Sequence, residues 1–290
     1  MSTFKPRIRS LHALLTLLLT ASAFTQTPVT PDAPPQTSVA QNAPLNPALP
    51  TLFIVGDSTA RNQADLGWGD HFAHFFDTTK INIANRARAG RSSRSYYNEG
   101  LWDNVLSEMK PGDFVLIQMG HNDGGGNPQD DPKGRGSVKG IGDETVDVPI
   151  THPFSTGPLA GKTTETVHTF GWYIRKYIAD TRAKHATPLL LTVTIRNIWA
   201  NDADGNLHIE RDMGYRDYVY KLGADEGVPV IDMATVEADR LEALGPEKTA
   251  LLFPIDHTHT SAEGAEDNAE SVVIALRNAQ SPLVAYLKPS

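Results

Sequence analysis

The sequence predicts a single α/β domain built on a five-stranded parallel sheet with helices on both faces. Short apolar or β-branched runs recur along the chain at Thr51 to Val55, Ile81 to Ala84, Phe114 to Met119, Leu189 to Ile195 and Val228 to Ile231. Stretches of helical periodicity separate them, and such alternation produces a parallel sheet covered on both sides. Polar, chemistry-bearing residues cluster just past the ends of these runs, where open α/β sheets hold their ligands.

The chain opens differently. Lys5, Arg7 and Arg9 form a basic start, Leu11 to Leu19 an apolar stretch, and Ala21-Ser22-Ala23 a small-residue site. Together they read as an export signal over residues 1–23, and the apolar stretch is too short to span a bilayer. Residues 24–50, rich in Pro, Thr, Ala and Gln, show no apolar periodicity and read as a linker. Residues 51–290 are long enough for one domain with a real core.

The first run, TLFIV, ends in Gly56-Asp57-Ser58, the pattern of a buried strand feeding a loop. The second is followed by Asn85-Arg86-Ala87-Arg88-Ala89-Gly90-Arg91-Ser92, and the third by Gly120-His121-Asn122-Asp123. Apolar side chains recur at helical spacing around Val167, Phe170, Ile174 and Ile178, and again over Tyr215 to Ala224 and Ala262 to Leu276. His71 and His74, beside Phe72 and Phe75, read as the surface of an amphipathic helix. Gly124 to Lys162 is Gly-, Pro- and Asp-rich without a sustained helical or strand period, and reads as a loop rimming a binding cleft. Its Gly134-Arg135-Gly136 and Gly140-Ile141-Gly142 fail the spacing of a dinucleotide fingerprint or a P-loop.

Composition removes several function classes. The chain has no cysteine, which excludes disulfides, thiol catalysis and thiolate-bound zinc. A formal net charge of −8 argues against a nucleic-acid partner.

The chemistry comes from Asp256-His257-Thr258-His259 read together with Ser58. A serine hydroxyl is a poor nucleophile at neutral pH unless an imidazole takes its proton, and a carboxylate fixes that imidazole's tautomer. Asp256-x-x-His259 delivers both partners from one turn. Acyl transfer also needs donors aimed at a developing oxyanion, which the Ser58 and Gly90 amides and the Asn122 side chain can supply. Taken singly, Gly56-Asp57-Ser58 reads first as a capping turn, Gly90 as a helix entry and Asn122 as an Asx-turn, and their context in the chain is what favours catalysis. His257, with Asp256, His259 and His121, is also a set that could ligate a metal.

In this order, Gly56-Asp57-Ser58, Gly90, Gly120-x-Asn122-Asp123 and Asp256-x-x-His259 resemble the four blocks of the SGNH (GDSL) hydrolase superfamily. Ala89-Gly90-Arg91-Ser92-Ser93-Arg94-Ser95-Tyr96, Gly120-His121-Asn122-Asp123-Gly124-Gly125 and Phe253-Pro254-Ile255-Asp256-His257-Thr258-His259-Thr260-Ser261 are similar to rhamnogalacturonan acetylesterases in particular. The resemblance spans about Leu52 to Ala275. It implies a flavodoxin-like three-layer α/β/α sandwich, no metal, no organic cofactor, and removal of acetyl groups from pectic polysaccharide. By position, Ser58 is similar to the family's nucleophile, His259 to its general base and Asp256 to the acid that orients it. Gly90 and Asn122, with the Ser58 amide, resemble its oxyanion hole.

The expected partner is thus an acetylated plant cell-wall polysaccharide or oligosaccharide, with acetylated xylan or small acetylated sugars as the alternative. A catalytically silent carbohydrate-binding protein is the reading from a different class. For a substrate bearing galacturonate carboxylates, Arg91 beside Gly90 is the expected fork donor. His168, at the start of the long amphipathic stretch, reads equally as a second substrate contact and as a capping or loop residue, while Arg88 and Arg94 read equally as surface charges. The missing cysteines depart from fungal members and, with the absence of any Asn-x-Ser/Thr site, suit a bacterial protein exported to the periplasm or beyond.

Overall fold

The computed structural model describes residues 44–124, 127–212 and 214–289. The expected export signal and most of the expected linker lie outside these residues. Residues 44–50, expected as the linker's end, lie on the domain: the Asn46 amide and the Asn82 side chain exchange hydrogen bonds, and Lys110 Nζ donates to the Leu49 carbonyl.

In chain order the elements are β1 (Thr51–Val55), β2 (Asn82–Asn85), α1 (Ser93–Asn98), α2 (Leu101–Glu108), β3 (Phe114–Ile117), β4 (Thr145–Pro149), β5 (Thr164–His168), α3 (Phe170–Ala183) and β6 (Thr187–Leu191). Then follow β7 (Trp199–Asn201), β8 (Leu207–Ile209), α4 (Arg216–Glu226), β9 (Val230–Ile231), α5 (Met233–Leu244), α6 (Pro246–Leu252) and α7 (Ala262–Asn278). Five strands form the central sheet in the order β2-β1-β3-β6-β9, all parallel. Chain order therefore reverses between β1 and β3, the switch point at which a flavodoxin-like sheet opens its binding crevice.

Period-two alternation divides the core between the two faces. Leu52, Ile54, Leu116, Leu189, Leu191 and Ile231 face α7, meeting Ala269, Val272 and Leu276 and the buried rings of Trp68 and Phe72. Their chain neighbours Phe53, Val55, Val115, Ile117 and Leu190 face the other layer, packing with Trp102 of α2, Phe170, Ile174 and Tyr177 of α3, and Leu222 of α4. The three-layer sandwich is thus written in the strands themselves: each is apolar at consecutive positions because both of its faces are buried.

Several boundaries differ from the sequence reading. The apolar runs continue past β3 and β6 because the loops at their carboxyl ends are also buried: Met119, Val193 and Ile195 are 1–2% exposed. Val167 is a strand residue, not a helical one. Thr169 accepts the Trp172 amide on its Oγ1 and starts α3 behind it. Gly124 to Lys162 is not wholly irregular, since β4 within it pairs antiparallel with β5. His71 lies between two short 3-10 turns and His74 on the second, and their rings clasp Glu266 of α7 at 2.9 and 2.6 Å. No described helix is long and apolar enough to cross a membrane.

Candidate active site

The loop after β1 is tightly determined. A Cβ on Gly56 would stand 3.1 Å from the Ala60 Cβ and 3.2 Å from the Gln118 carbonyl, so any side chain there would force these neighbours to give by a few tenths of an ångström. Asp57 is fully buried, and its Oδ1 accepts both the amide and the hydroxyl of Thr59 at 2.9 Å, holding the turn around Ser58. Ser58 retains 9% exposure.

The turn between α6 and α7 brings the other half of the site. Asp256 Oδ1 accepts the amides of Thr258 and His259 at 2.7 and 2.8 Å, and Oδ2 lies 2.8 Å from His259 Nδ1. His259 Nε2 stands 2.9 Å from Ser58 Oγ. With Nδ1–H donating its hydrogen bond to the carboxylate, Nε2 is left as the acceptor facing the hydroxyl. Partial burial works to raise the Asp256 pKa but is outweighed by the hydrogen bonds from the His259 ring and from the His259 and Thr258 amides, which leave it at about 2. Such a line lets an imidazole take a proton from a serine hydroxyl while a carboxylate stabilises the imidazolium.

Gly90 adopts φ +78°, in the left-handed region, and leads into the α1 cap. There Ser92 Oγ accepts the Ser95 amide and Ser95 Oγ accepts the Ser92 amide, a reciprocal capping box. Among the described residues, neither the Ser58 nor the Gly90 amide donates a hydrogen bond. Asn122 Nδ2 donates to the Arg91 carbonyl at 3.1 Å. A primary amide carries two such protons, so a second donor remains. Asp123, 1% exposed, accepts the amide and hydroxyl of Ser93, so it ties the loop after β3 to the start of α1. Burial pushes its carboxyl up to about 7 against the hydrogen bonds from Ser93. Burial likewise pushes His121 down to about 4, although the nearby Asp57 charge works the other way.

Residues 54–266 match the family model described as the GDSL-like lipase/acylhydrolase family. The chain belongs to this family. Membership makes it a carboxylic ester hydrolase. It is 33% identical over 226 residues to a rhamnogalacturonan acetylesterase of Emericella nidulans, covering 78% of this chain and 84% of that protein. It is 27% identical over 244 residues to a probable rhamnogalacturonan acetylesterase of Bacillus subtilis strain 168, covering 80% of this chain and 94% of that protein. The crystal structure of the Bacillus subtilis protein YxiM shares the fold at a TM-score of 0.61 and 23% identity, covering 81% of this chain and 58% of that one.

In this GDSL-like acylhydrolase the other expected residues are distributed unevenly. Arg91 stands beside Gly90, but its guanidinium is held by the Glu99 carboxylate, with Nε and Nη2 at 2.9 and 2.8 Å from Oε2. Arg94 is not a surface charge: it is 3% exposed and pairs with Glu165 through two 2.7 Å hydrogen bonds. Arg88 is exposed. His168 ends β5 with its ring stacked on Trp172 at 3.8 Å. His257 is exposed, and no described group of three or more His, Asp or Glu is arranged to hold a metal ion.

Sequence reasoning passed over three cations at the mouth of the site. Lys133, Arg135 and Arg196 line a cleft of about 530 Å³ together with Asn122. Arg196 carried a usable signal, because it directly follows the apolar run of the fourth central strand, where Ser58, Gly90 and Asn122 stand relative to theirs.

Proposed function

We propose that this chain is an exported serine esterase that removes O-acetyl groups from pectic polysaccharide of the rhamnogalacturonan type. The observation that carries this is the unbroken line from Ser58 Oγ through the His259 ring to Asp256, with spacings of 2.9 and 2.8 Å. The two relatives that bear the name rhamnogalacturonan acetylesterase support the substrate, and the basic, apolar and small-residue pattern of residues 1–23 supports export.

In this mechanism Ser58 Oγ attacks the acetyl carbonyl carbon as its proton passes to His259 Nε2. The carbonyl oxygen becomes an oxyanion facing the amides of Ser58 and Gly90 and the second proton of Asn122 Nδ2. The tetrahedral intermediate collapses, His259 gives its proton to the departing sugar oxygen, and an acetyl-serine remains. Water then attacks the acetyl group with His259 again as base, releasing acetate and restoring the Ser58 hydroxyl. Asp256, ionised down to a pH of about 2, stabilises the imidazolium in both halves of the cycle.

The test is acetate release from acetylated rhamnogalacturonan, acetylxylan and p-nitrophenyl acetate by wild type and Ser58→Ala. Release is expected to be fastest from the pectic polymer and to fall by roughly 10⁴-fold or more in the variant. Release from the small ester alone would discard the polymer, and release that survives Ser58→Ala would discard the mechanism.

A further inference from the structure

The cleft beside Asn122 has an unusual charge for this molecule. The whole chain carries a formal net charge of −8, yet Lys133, Arg135 and Arg196 line this one wall. Among the described residues, none of the three forms an ion pair with a carboxylate, whereas Arg86, Arg91, Arg94, Arg211, Arg216 and Arg240 all do. The one acid at the cleft, Asp131, is occupied locally: its oxygens accept the backbone amides of Lys133 and Arg135 at 2.9 and 2.6 Å.

The cations are also positioned relative to the reacting centre. Arg135 Nη1 is 3.4 Å from Asn122 Oδ1, and its Nη2 is 2.8 Å from where a Cβ on Gly90 would stand. The Arg196 guanidinium makes one long contact, to the His121 carbonyl at 3.5 Å, and no carboxylate engages it among the described residues. A guanidinium with unmet donors beside an acyl-transfer site is built for a planar anion, which it grips through paired N–H groups.

We propose that this cleft binds the carboxylate of a uronic acid unit next to the acetylated sugar, with Arg196 as the fork donor, Lys133 as a point charge and Arg135 spanning the carboxylate and the Asn122 side chain. The cleft thereby selects acidic over neutral acetylated polysaccharides. This rests on the acetylesterase reading for its place in catalysis, but binding tests it separately.

The experiment is calorimetric titration of deacetylated rhamnogalacturonan oligosaccharides, and of neutral xylo-oligosaccharides, into the Ser58→Ala protein. Arg196→Gln and Lys133→Gln are each added to that background, with Lys248→Gln, an exposed lysine of α6, as the control for net charge. The acidic oligosaccharide is expected to bind more tightly than the neutral one and to weaken as salt rises. Its Kd should rise roughly tenfold in Arg196→Gln, less in Lys133→Gln and not in Lys248→Gln. Equal binding of acidic and neutral sugars, no binding of the acidic one, or an unchanged Kd in both cleft variants would overturn the proposal. Failure of the esterase reading would show instead as absent Ser58-dependent acetate release. Lys133, exposed on its loop, keeps the test valid should Arg196→Gln fail to fold.

Discussion

Asn122 donates its side-chain amide to the Arg91 carbonyl at 3.1 Å, so the loop after β3 is tied to the loop after β2 by the side chain that the proposed mechanism uses as an oxyanion donor. Asn122→Ala should therefore reduce kcat by roughly 10²- to 10³-fold, the usual effect of losing one oxyanion donor. Its melting temperature should fall only slightly, because Asp123 and Ser93 still join the same two loops. Steady-state kinetics on p-nitrophenyl acetate would decide this, and wild-type turnover would remove Asn122 from the oxyanion hole.

Asp256→Asn should lower kcat substantially while sparing the fold. An amide in place of the carboxylate can present its N–H₂ to Nδ1 and favour the wrong tautomer, which costs roughly 10⁴-fold where the acid is buried. Here the Asp256 side chain is 41% exposed, so water can stand in and a smaller loss is expected. A variant with unaltered turnover would show that the imidazole needs no orienting partner.

His121 and Asp123, close in sequence, act on stability with opposite signs. Asp123 is raised to about 7, so between the ordinary carboxylate range and pH 7 the native state holds more protons, and stability falls as pH rises. His121 is lowered to about 4, so between pH 4 and the ordinary imidazole range the unfolded state holds more protons, and stability rises with pH. Each slope is at most about 1.4 kcal/mol per pH unit, and the two offset each other in wild type. Relative to wild type, Asp123→Asn should gain stability as pH rises from 4 to 7, and His121→Phe should lose it. Urea midpoints across this range would check both, and curves parallel to wild type would refute the assignment.

Glu165→Ala should destabilise the protein by about 3–5 kcal/mol, because it leaves the Arg94 guanidinium buried without its carboxylate. Arg94→Met in the same chain should recover part of that loss. Thermal denaturation would measure both effects, and a change near zero for Glu165→Ala would mean that water reaches the pair.

The central sheet was legible because its strands carry their signal locally: consecutive apolar residues such as Leu52 to Val55, followed at once by a polar turn. Ser58, Gly90 and Asn122 stood out for the same reason, each next to a strand end. The β4–β5 hairpin was not legible, because Thr145-Val146-Asp147-Val148-Pro149 has only Val148 buried and depends on its partner strand for identity. Arg94 read as a surface charge because its partner, Glu165, lies 71 residues away. Likewise, Arg91 was favoured for its adjacency to Gly90, while Glu99, one helix later, engages its guanidinium. Arg135, 45 residues beyond Gly90 in sequence, reaches over that glycine instead.

Ser58 and His259 are separated by 201 positions, one on the first strand's loop and the other just before the last long helix. A ribosome thus delivers the hydroxyl early and the imidazole near the end of synthesis. In the proposed mechanism, until the final segment has emerged and folded back across the sheet, the growing chain carries a serine with no base, and every truncated product that stops short of residue 259 inherits that inertness.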